Sequence, residues 1–428
     1  MKKIILPIMG FIPPLILIFS ISTHVQNSDY AMNTIVLGLL AYSFMLNALY
    51  LASKPKWIDN LVGLQNNYLF HIITGIGSVF FAIVHKVVSQ ASGVTQATGY
   101  VALILLILIA TFSMPFLNGY LKAHFSVLRK FNKKMASILP HEKIIYIHRL
   151  NLVVIILAFI HVSSMTFFRD NILFYFLFCL YTLLAIGSFI FNKIREKFHL
   201  HEGIISKKNI LNHNTVELTI FVAKNIRNRT IHAGDFVYIS FPNHKDLKEL
   251  HPFSVVETNS YNNGIYLKLA IRADGDFTKS VLSSVVENDT VLVDASYGLI
   301  HRKLSHSKMN NLVIIVNGNG ITPVISLIQN FLNTDKYKNI TLFWSVKSMD
   351  DAIYLSDLDE LSRIHPNFKI HIKKHRFDIT DESMELENTQ TSLFVILGSS
   401  VVVTSVTKQL KKIKHIKKKQ IITEGFSL

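Results

Sequence analysis

The sequence predicts a bundle of six transmembrane helices, followed by an antiparallel β-barrel domain and an α/β domain with a Rossmann-like parallel sheet. Half of the 428 residues are hydrophobic, and every apolar run long enough to cross a bilayer lies before residue 200. After residue 200 the pattern changes to short β-rich segments separated by Gly, Asn and Asp. The expected domains are residues 1–198, 199–304 and 305–428.

Six apolar runs are predicted to be membrane spans. A helix needs about 20 predominantly apolar residues to cross the hydrocarbon core, and each run comes close to that length. In chain order they lie near residues 4–22, 32–52, 67–88, 98–118, 144–166 and 171–192. The first run also fits a cleaved signal peptide, although it is long for one and no A-x-A site follows. Cleavage would leave the other five spans unchanged.

Basic residues predict the orientation of the spans, because cytoplasmic loops carry an excess of Lys and Arg. One set of flanks holds most of them: Lys2, Lys3, Lys54, Lys56, Lys122, Arg129, Lys130, Lys133, Lys134, Lys143, Lys193, Arg195 and Lys197. The opposite set contains little beyond Lys86 and Arg169. We therefore expect an integral protein of the plasma (inner) membrane, with both termini and the soluble domains in the cytoplasm.

The formal net charge of +16 fits a membrane protein. Basic charge beside membrane spans reports topology and contact with anionic lipid, so nucleic acid is not an expected partner. The single cysteine, Cys179, rules out an intramolecular disulfide and any site with several cysteine ligands.

Four of the 19 histidines lie well within apolar spans. Span three carries His71 and His85, and span five carries His148 and His161. Because both spans run outward from the cytoplasm, His71 should share a depth with His148. His85 should likewise lie level with His161, about 20 Å away at a rise of 1.5 Å per residue. Ionisable residues inside hydrocarbon are costly and therefore indicate function.

Two pairs of imidazoles stacked across a membrane are the ligands that two bis-histidine haems need. A proton relay or a metal-ion transport site is the alternative, but either would more naturally include acidic residues, and neither span contains one. One observation counts against the haem prediction. A spacing of thirteen residues places His148 and His161 about 140° apart around an ideal helix, and therefore on different faces. A kink, local overwinding or rotated haem planes would have to absorb that angle.

The first soluble domain shows strand patterns and short turns. Two alternating segments within residues 215–241 flank an Ala-Gly-Asp turn, which predicts an antiparallel barrel. Further β-rich segments follow at 251–257, 267–282 and 291–300.

The second soluble domain begins with a buried apolar strand, a glycine turn and a helix at residues 311–332. A dinucleotide can bind at such a turn, since glycines allow close backbone approach and the helix N-terminus faces phosphate. An ordinary turn could show the same glycine spacing. Further apolar strands at 340–346 and 392–400 predict a parallel α/β sheet.

Together these residues resemble the NADPH oxidase and ferric reductase superfamily over nearly the whole chain, in the form of a prokaryotic-type member without a regulatory domain. The histidine spacings of fourteen and thirteen residues match the family, as does the His148-Arg149 pair. The resemblance implies a six-helix ferric-reductase-type domain with two b-type haems. It also implies a ferredoxin–NADP reductase-like module that binds FAD and a nicotinamide nucleotide.

The resemblance assigns roles within the soluble module. It implies that Ser254, which ends the flavin motif His251-Pro252-Phe253-Ser254, bonds the flavin ring near its reactive nitrogen. The ring of Phe426, in Glu424-Gly425-Phe426, is implied to stack on the flavin. The residues assigned to the FAD pyrophosphate are Arg272, Gly275, Asp276, Phe277 and Thr278. Those assigned to the nicotinamide nucleotide are Gly318, Gly320, Thr322 and Pro323.

The nucleotide site departs from the family pattern at two places. Asn317 stands where the first of two glycines is common, and Leu397-Gly398-Ser399 stands where Cys-Gly-Pro is common. These departures imply a nucleotide that sits differently or binds more weakly. Lys347 follows a strand end where an arginine often contacts the 2′-phosphate of NADP. Lysine holds phosphate as a point charge without a bidentate fork, which favours NADPH over NADH only slightly.

The expected function is electron transfer from cytoplasmic NAD(P)H through FAD and two haems to dioxygen outside, which produces superoxide. The same electron-transfer pathway could instead end at a ferric or cupric ion, or at a quinone. The outer loops carry few acidic residues, which favours dioxygen over a metal ion. A function of another class is a haem-bearing membrane partner with a degenerate nucleotide site, supported only by Asn317 and Leu397.

Overall fold

The computed structural model describes residues 5–26, 31–117, 141–198, 200–223, 231–377, 379, 389–413 and 416–426. The chain splits into two compact units, Met1–Lys197 and Phe198–Leu428. The first is helical, and the second contains both β-sheets.

Within the described residues of the first unit, six helical segments are long and apolar enough to cross a membrane, which confirms the predicted spans. Spans one to four are α1 (Ile5–Gln26), α2 (Met32–Ala52), α4 (Leu64–Val88) and α5 (Gly93–Leu117). Span five consists of α6 (His141–Arg149) and α7 (Asn151–Ser163), and span six is α9 (Ile172–Phe198). The short helices α3 (Lys56–Val62) and α8 (Thr166–Asp170) lie between spans.

Span five is interrupted at Leu150, between its two histidines. The Leu150 amide donates to the Ile147 carbonyl at 3.1 Å, a tighter turn than that of an α-helix. The Asn151 side-chain amide donates to the His148 carbonyl at 2.9 Å. A break of this kind changes the angular relation between the two halves of a helix. The tighter turn is local overwinding, which acts in the direction that the thirteen-residue spacing of His148 and His161 requires.

The first unit has an apolar interior and an apolar exterior. Its interior includes Leu46, Phe174 and Phe178, which are fully buried. On the outside, Phe19 is 82 % exposed and Leu183 is 69 % exposed. Large apolar side chains at such exposure are favourable when the surrounding medium is lipid.

The first sheet of the second unit is a closed barrel, as predicted. Its strands are β1 (His201–Asn212), β2 (Thr215–Ala223), β3 (Phe236–Ser240), β4 (His251–Tyr261), β5 (Gly264–Arg272) and β6 (Thr290–Tyr297). They follow the order β1-β2-β5-β4-β3-β6, and neighbouring strands are antiparallel. Alternate residues of β2 point into the core, where Val216, Leu218 and Ile220 are fully buried. Helices α10 (Asp276–Ser284) and α11 (Ile300–Ser305) follow β5 and β6.

The second sheet is parallel, as predicted, with strands in the order β11-β10-β7-β8-β9. These strands are β7 (Asn311–Asn317), β8 (Asn339–Val346), β9 (Phe368–Lys374), β10 (Ser392–Ser399) and β11 (Ile421–Phe426). Helices α12 (Thr322–Asn333), α13 (Leu355–Ile364) and α14 (Ser400–Leu410) accompany them. Because all five strands are parallel, their carboxyl ends share one edge, where ligands bind in open α/β sheets.

Several polar contacts join the barrel to the second sheet. The Ser326 hydroxyl of α12 accepts a hydrogen bond from the Gly234 amide at 3.0 Å and lies 3.2 Å from the Val255 carbonyl of β4. The Asn212 side chain of β1 donates to the Asp350 carbonyl at 2.8 Å. These contacts fix the helix that follows the glycine turn against the strand that carries the flavin motif.

A buried carboxylate adds a further contact between the barrel and the sheet. Glu217 of β2 is 7 % exposed, and it accepts hydrogen bonds from the Tyr354 hydroxyl and the Asn209 side chain. Burial raises the pKa of the Tyr354 hydroxyl, and the adjoining carboxylate raises it further. The tyrosine therefore remains a proton donor at neutral pH.

We predict that Tyr354→Phe destabilises the second unit by about 1–3 kcal/mol, because it leaves a buried carboxylate short of one donor. Thermal unfolding of the detergent-solubilised protein, followed by circular dichroism, would measure the loss. Tyr261→Phe is the matched control, since Tyr261 is 59 % exposed. Equal unfolding temperatures for the two variants would show that the Glu217 contact adds nothing to stability.

Candidate functional site

The four membrane histidines form two facing pairs. The ring centroids of His71 and His148 lie 5.9 Å apart, and those of His85 and His161 lie 6.2 Å apart. These are the partners expected from equal depth in spans three and five. Each pair brings one imidazole from α4 to one from span five.

Each imidazole is oriented by a hydrogen bond to its Nδ1 atom. On α4, His71 and His85 contact the Ala48 and Thr34 carbonyls of α2, each at 2.9 Å. His161 contacts the Thr95 carbonyl of α5 at 2.7 Å, and His148 contacts the Ser113 hydroxyl of α5 at 3.1 Å. An Nδ1–H that donates to an oxygen leaves Nε2 as the free lone pair. This is the usual arrangement of a metal-binding histidine.

The distance between the rings of each pair leaves room for one metal ion between them. Two imidazoles on opposite sides of one ion, with metal–nitrogen bonds of about 2.0 Å, would hold their centroids about 6 Å apart. Within the described residues, no group of three or more His, Cys, Asp or Glu side chains could hold a metal ion. A pair of imidazoles would therefore suit an ion that brings its remaining donors with it, as haem iron does.

A partly open cavity adjoins His85 and His161. Many of its lining residues are small: Gly38, Ala41, Ala82, Ala91, Gly99, Ala102 and Ala158. A Cβ atom on Gly99 would lie 2.9 Å from the His161 ring, so a larger residue there would displace the imidazole. Small residues leave room for a flat macrocycle beside the histidine pair. The cavity and the imidazoles thus fit a haem.

The cavity also contains a cation. Lys86 lines it, and its ammonium group lies 4.7 Å from the centroid of the Tyr100 ring. This is within the range of a cation–π interaction. Among the described residues that line the cavity, there is no Asp or Glu. Apart from the imidazoles, the only ionisable chains among these described lining residues are therefore Lys86 and two tyrosines, Tyr42 and Tyr100.

In the second unit, the flavin motif lies where two barrel strands part. Residues His251–Ser254 of β4 pair with β3, whereas the ladder between β4 and β5 begins only at Val255. The last residues of β5, ending at Arg272, pair instead with β2. The barrel therefore opens between the start of β4 and the end of β5.

Aromatic rings line this opening. Phe277, in the first turn of α10, stacks on His251 with ring centroids 3.9 Å apart and lies 6.1 Å from Phe253. The Thr278 hydroxyl accepts from the Gly275 amide at 2.9 Å, which closes the first turn of α10. The motif around Ser254 and the segment from Gly275 to Thr278 thus meet at one place. Pro252 is exposed beside them, and Asp276 is exposed at the start of α10.

Arg272 connects the barrel opening with the glycine turn. Its Nε and Nη2 atoms donate to one carboxylate oxygen of Asp274, at 2.8 and 2.7 Å. The remaining terminal nitrogen, Nη1, would lie 3.8 Å from a Cβ atom placed on Gly318. Asp274 therefore fixes the guanidinium at the boundary between the flavin motif and the nucleotide loop. The sequence analysis did not single out Asp274, whose only signal is its position two residues after Arg272.

The glycine turn forms a short 3-10 helix, Gly318–Ile321, between β7 and α12. A Cβ atom on Gly320 would lie 3.0 Å from the Leu397 carbonyl of β10, so this position has no room for a side chain. The Thr322 hydroxyl donates to the Asn319 carbonyl at 3.0 Å, and Pro323 lies in the first turn of α12. The amide end of α12 therefore faces the carboxyl edge of the sheet, where an anionic group is favoured.

The two departures from the family pattern, Asn317 and the segment Leu397-Gly398-Ser399, lie next to each other. Asn317 ends β7, and its side-chain amide donates to the Ser345 hydroxyl of β8 at 3.0 Å. A Cβ atom on Gly398 would lie 3.3 Å from the Asn317 Cβ. The asparagine side chain is thus held along the neighbouring strand.

Two further predicted residues lie at the same edge of the sheet. Lys347 directly follows β8 and is exposed. In β11, Gly425 pairs with Gly398 and Phe426 pairs with Ser399, so the backbone of this segment borders the carboxyl edge beside β10. The edge thus gathers Gly318, Lys347 and the backbone of Phe426.

Comparison with known proteins identifies both soluble domains. A family model described as an FAD-binding domain matches residues 202–327, and one described as an oxidoreductase NAD-binding domain matches residues 314–394. Both ranges contain residues predicted to bind cofactors: the first contains Ser254 and Arg272, and the second contains Gly318.

Two relatives are membrane reductases by name. The chain is 31% identical over 116 residues to the ferric/cupric reductase transmembrane component 7 of Saccharomyces cerevisiae, covering 26% of this chain and 18% of that protein. It is 23% identical over 306 residues to the ferric reduction oxidase 5 of Arabidopsis thaliana, covering 69% of this chain and 38% of that protein. The chain therefore spans less than half the length of these relatives.

A solved structure also resembles part of the chain. It is the flavohem-like FAD/NAD-binding domain of a nitric oxide dioxygenase from Vibrio cholerae, at 14% identity and a TM-score of 0.45. The likeness covers 53% of this chain and 98% of that domain.

Proposed function

Because the chain belongs to the NADPH oxidase and ferric reductase superfamily, we propose that it is an integral membrane oxidoreductase that carries electrons from NAD(P)H across the membrane. The observation that carries this proposal is the presence of two facing histidine pairs in membrane helices, on a chain that also contains FAD-binding and NAD-binding domains. In this proposal the membrane is the plasma (inner) membrane, and both termini face the cytoplasm.

When bound, FAD would supply the exchange between hydride and single-electron chemistry, and the two haems would supply one-electron transfer across the membrane. The protein holds these groups in place. His71 and His148 hold one haem through their Nε2 atoms, and His85 and His161 hold the other. The hydrogen bonds at Nδ1 keep each ring in the tautomer that exposes Nε2.

The soluble residues bind and orient the flavin and the nucleotide. Ser254 donates a hydrogen bond to the flavin ring, at the opening between β4 and β5. Arg272, fixed by Asp274, and the first turn of α10 hold the FAD pyrophosphate. The nucleotide phosphates bind at the amide end of α12, close to Gly318. Lys347 contacts the 2′-phosphate of NADPH as a single cation, and Phe426 stacks on the flavin.

The acceptor in this proposal is dioxygen, which becomes superoxide. Lys86 lines the His85–His161 cavity, and its ammonium group would repel a hydrated ferric or cupric cation that came close to it. A neutral gas is not repelled, and its one-electron product is an anion that the ammonium group attracts. The scarcity of acids in the outer loops points the same way.

The second candidate is a ferric or cupric reductase, which the names of the relatives favour. The residues and cofactors would be the same, and only the acceptor would differ. A metal acceptor would then be expected as an anionic chelate, because Lys86 lines the cavity. A quinone acceptor has no support beyond the electron-transfer pathway that all these acceptors would share. The reading of a partner protein with a degenerate nucleotide site is weakened by the contact of Asn317 with Ser345, since this contact keeps the asparagine along β8.

We predict that the purified protein shows a reduced b-type spectrum with about two haems per chain. His71→Leu and His148→Leu should each remove the same haem, while His85→Leu and His161→Leu should remove the other, because each haem needs both of its axial ligands. Haem content and the reduced spectrum would report the losses. His24→Leu is the control, since His24 lies in the first span and packs against Phe167. The pairing fails if His71→Leu and His161→Leu remove the same haem.

Ser254 and Arg272 should give different defects. Ser254→Ala should retain FAD but slow hydride transfer by about tenfold, the value of one lost hydrogen bond at the reacting ring. Arg272→Ala should weaken FAD retention, because it removes a charge from the pyrophosphate site. Flavin content and stopped-flow reduction by NADPH would separate the two effects. Ser260→Ala and Arg363→Ala are controls at exposed positions. Equal flavin loss in both site variants would contradict the assigned roles.

We expect the solubilised protein with added FAD to consume oxygen when NAD(P)H is supplied, and to reduce a dye in a reaction that superoxide dismutase suppresses. Oxygen consumption should be at least as fast with NADPH as with NADH. Lys347→Ala should reduce the ratio of the two rates, by up to about tenfold. Lys369→Ala, an exposed lysine on β9, should change nothing. If NADPH reduces the haems while oxygen is not consumed, and ferric chelates then reoxidise them, the acceptor is a metal.

A further inference from the structure

The hydrogen bonds behind the four imidazoles are not equivalent. Among these contacts, three go to backbone carbonyls, those of Ala48, Thr34 and Thr95. The fourth, from His148, goes to the side chain of Ser113 at 3.1 Å. Ser113 is 5 % exposed, so little water can take the place of its hydroxyl. The His148 contact is therefore specified by a side chain, and a single substitution can remove it.

The direction of this hydrogen bond follows from the role of the ring. For Nε2 of His148 to face His71 as a free lone pair, the ring proton must be on Nδ1. Nδ1–H then donates, and the Ser113 oxygen accepts. A hydroxyl oxygen is a weaker acceptor than an amide carbonyl. The His148 ring is therefore polarised less than the other three.

Polarisation of the ring affects the bound iron. An acceptor on Nδ1–H raises the basicity of the imidazole and fixes its orientation. A more basic ligand stabilises the oxidised iron and so lowers the reduction potential. The Ser113 hydroxyl thus acts on the iron through His148, without touching it.

We propose that Ser113 is a positioning residue that sets the orientation of His148 and the reduction potential of the haem held by His71 and His148. This inference rests on the proposed function, because it assumes that this pair holds a haem. It deepens that function by giving one of the two haems a tuning element that the other, held entirely against carbonyls, does not share.

The test uses the full chain in detergent and three variants of one position. Ser113→Ala removes the acceptor, Ser113→Thr keeps a hydroxyl, and Ser113→Asn supplies an amide carbonyl like those behind the other rings. Thr111→Ala is the matched control: it removes a hydroxyl from an exposed position of α5, where that hydroxyl donates to the Ile107 carbonyl of its own helix. Equilibrium redox titration followed by absorbance gives the potentials. A His85→Leu background, which retains only the haem in question, assigns the shift.

We expect Ser113→Ala to favour the reduced haem by about tenfold, an upward shift of 59 mV for a one-electron couple. Ser113→Asn should shift the potential downward, Ser113→Thr should stay near the parent protein, and Thr111→Ala should have no effect. If Ser113→Ala loses this haem while Ser113→Thr keeps it at the parent potential, the hydroxyl is still required and the inference holds.

Three results would overturn the inference. The first is an unchanged potential in Ser113→Ala with full haem content. The second is the same shift in sign and size for Ser113→Ala and Ser113→Asn, which would indicate packing alone. The third is loss of the haem in both Ser113→Ala and Ser113→Thr. A parent protein that binds no haem would instead refute the proposed function, and its spectrum would show this before any variant was made.

Discussion

The hydrogen bond at Nδ1 of each membrane imidazole is the interaction on which the bundle depends. A histidine in hydrocarbon needs a partner for each ring nitrogen, or it incurs the cost of an unsatisfied polar group. In this protein a neighbouring span supplies the partner: α2 for the histidines of α4, and α5 for those of span five. The contact satisfies one nitrogen and leaves the other available, while the opposite ring lies with its centroid 5.9 or 6.2 Å away. Helix packing and ligand geometry are therefore the same constraint.

In the soluble unit, two binding segments from different sheets lie close together: the flavin motif of the barrel and the glycine turn of the parallel sheet. The barrel opens between β4 and β5, and α12 is fixed against β4 by Ser326. Arg272 reaches from the opening to the glycine turn, and Asp274 holds it there. Because the barrel and the parallel sheet belong to one compact unit, the contacts of Glu217 with Tyr354 and of Asn212 with Asp350 also stabilise this arrangement.

Much of the fold was predictable, because long apolar runs and alternating strands are signals within single segments. The partners of the four imidazoles were not predictable in the same way, since a backbone carbonyl has no residue type to recognise. Strand β1 was missed because HEGIISKKNILN does not alternate regularly. It closes the barrel between β2 and β6, and the Ala-Gly-Asp turn does not join neighbouring strands, because β2 and β3 lie apart in the barrel. Strand β9 (FKIHIKK), which forms one edge of the parallel sheet, was not predicted.

The interruption at Leu150 has a consequence for how this protein can change over evolutionary time. In a continuous helix such as α4, inserting or deleting one residue between the two histidines would rotate the second ring by about 100° and separate one of the two histidine pairs. Span five already contains a joint between its two ligands, and the angle at a joint can readjust. A change in length should therefore be accepted more readily in span five than in span three. The fourteen-residue interval in α4 is thus the stricter geometric constraint of the two.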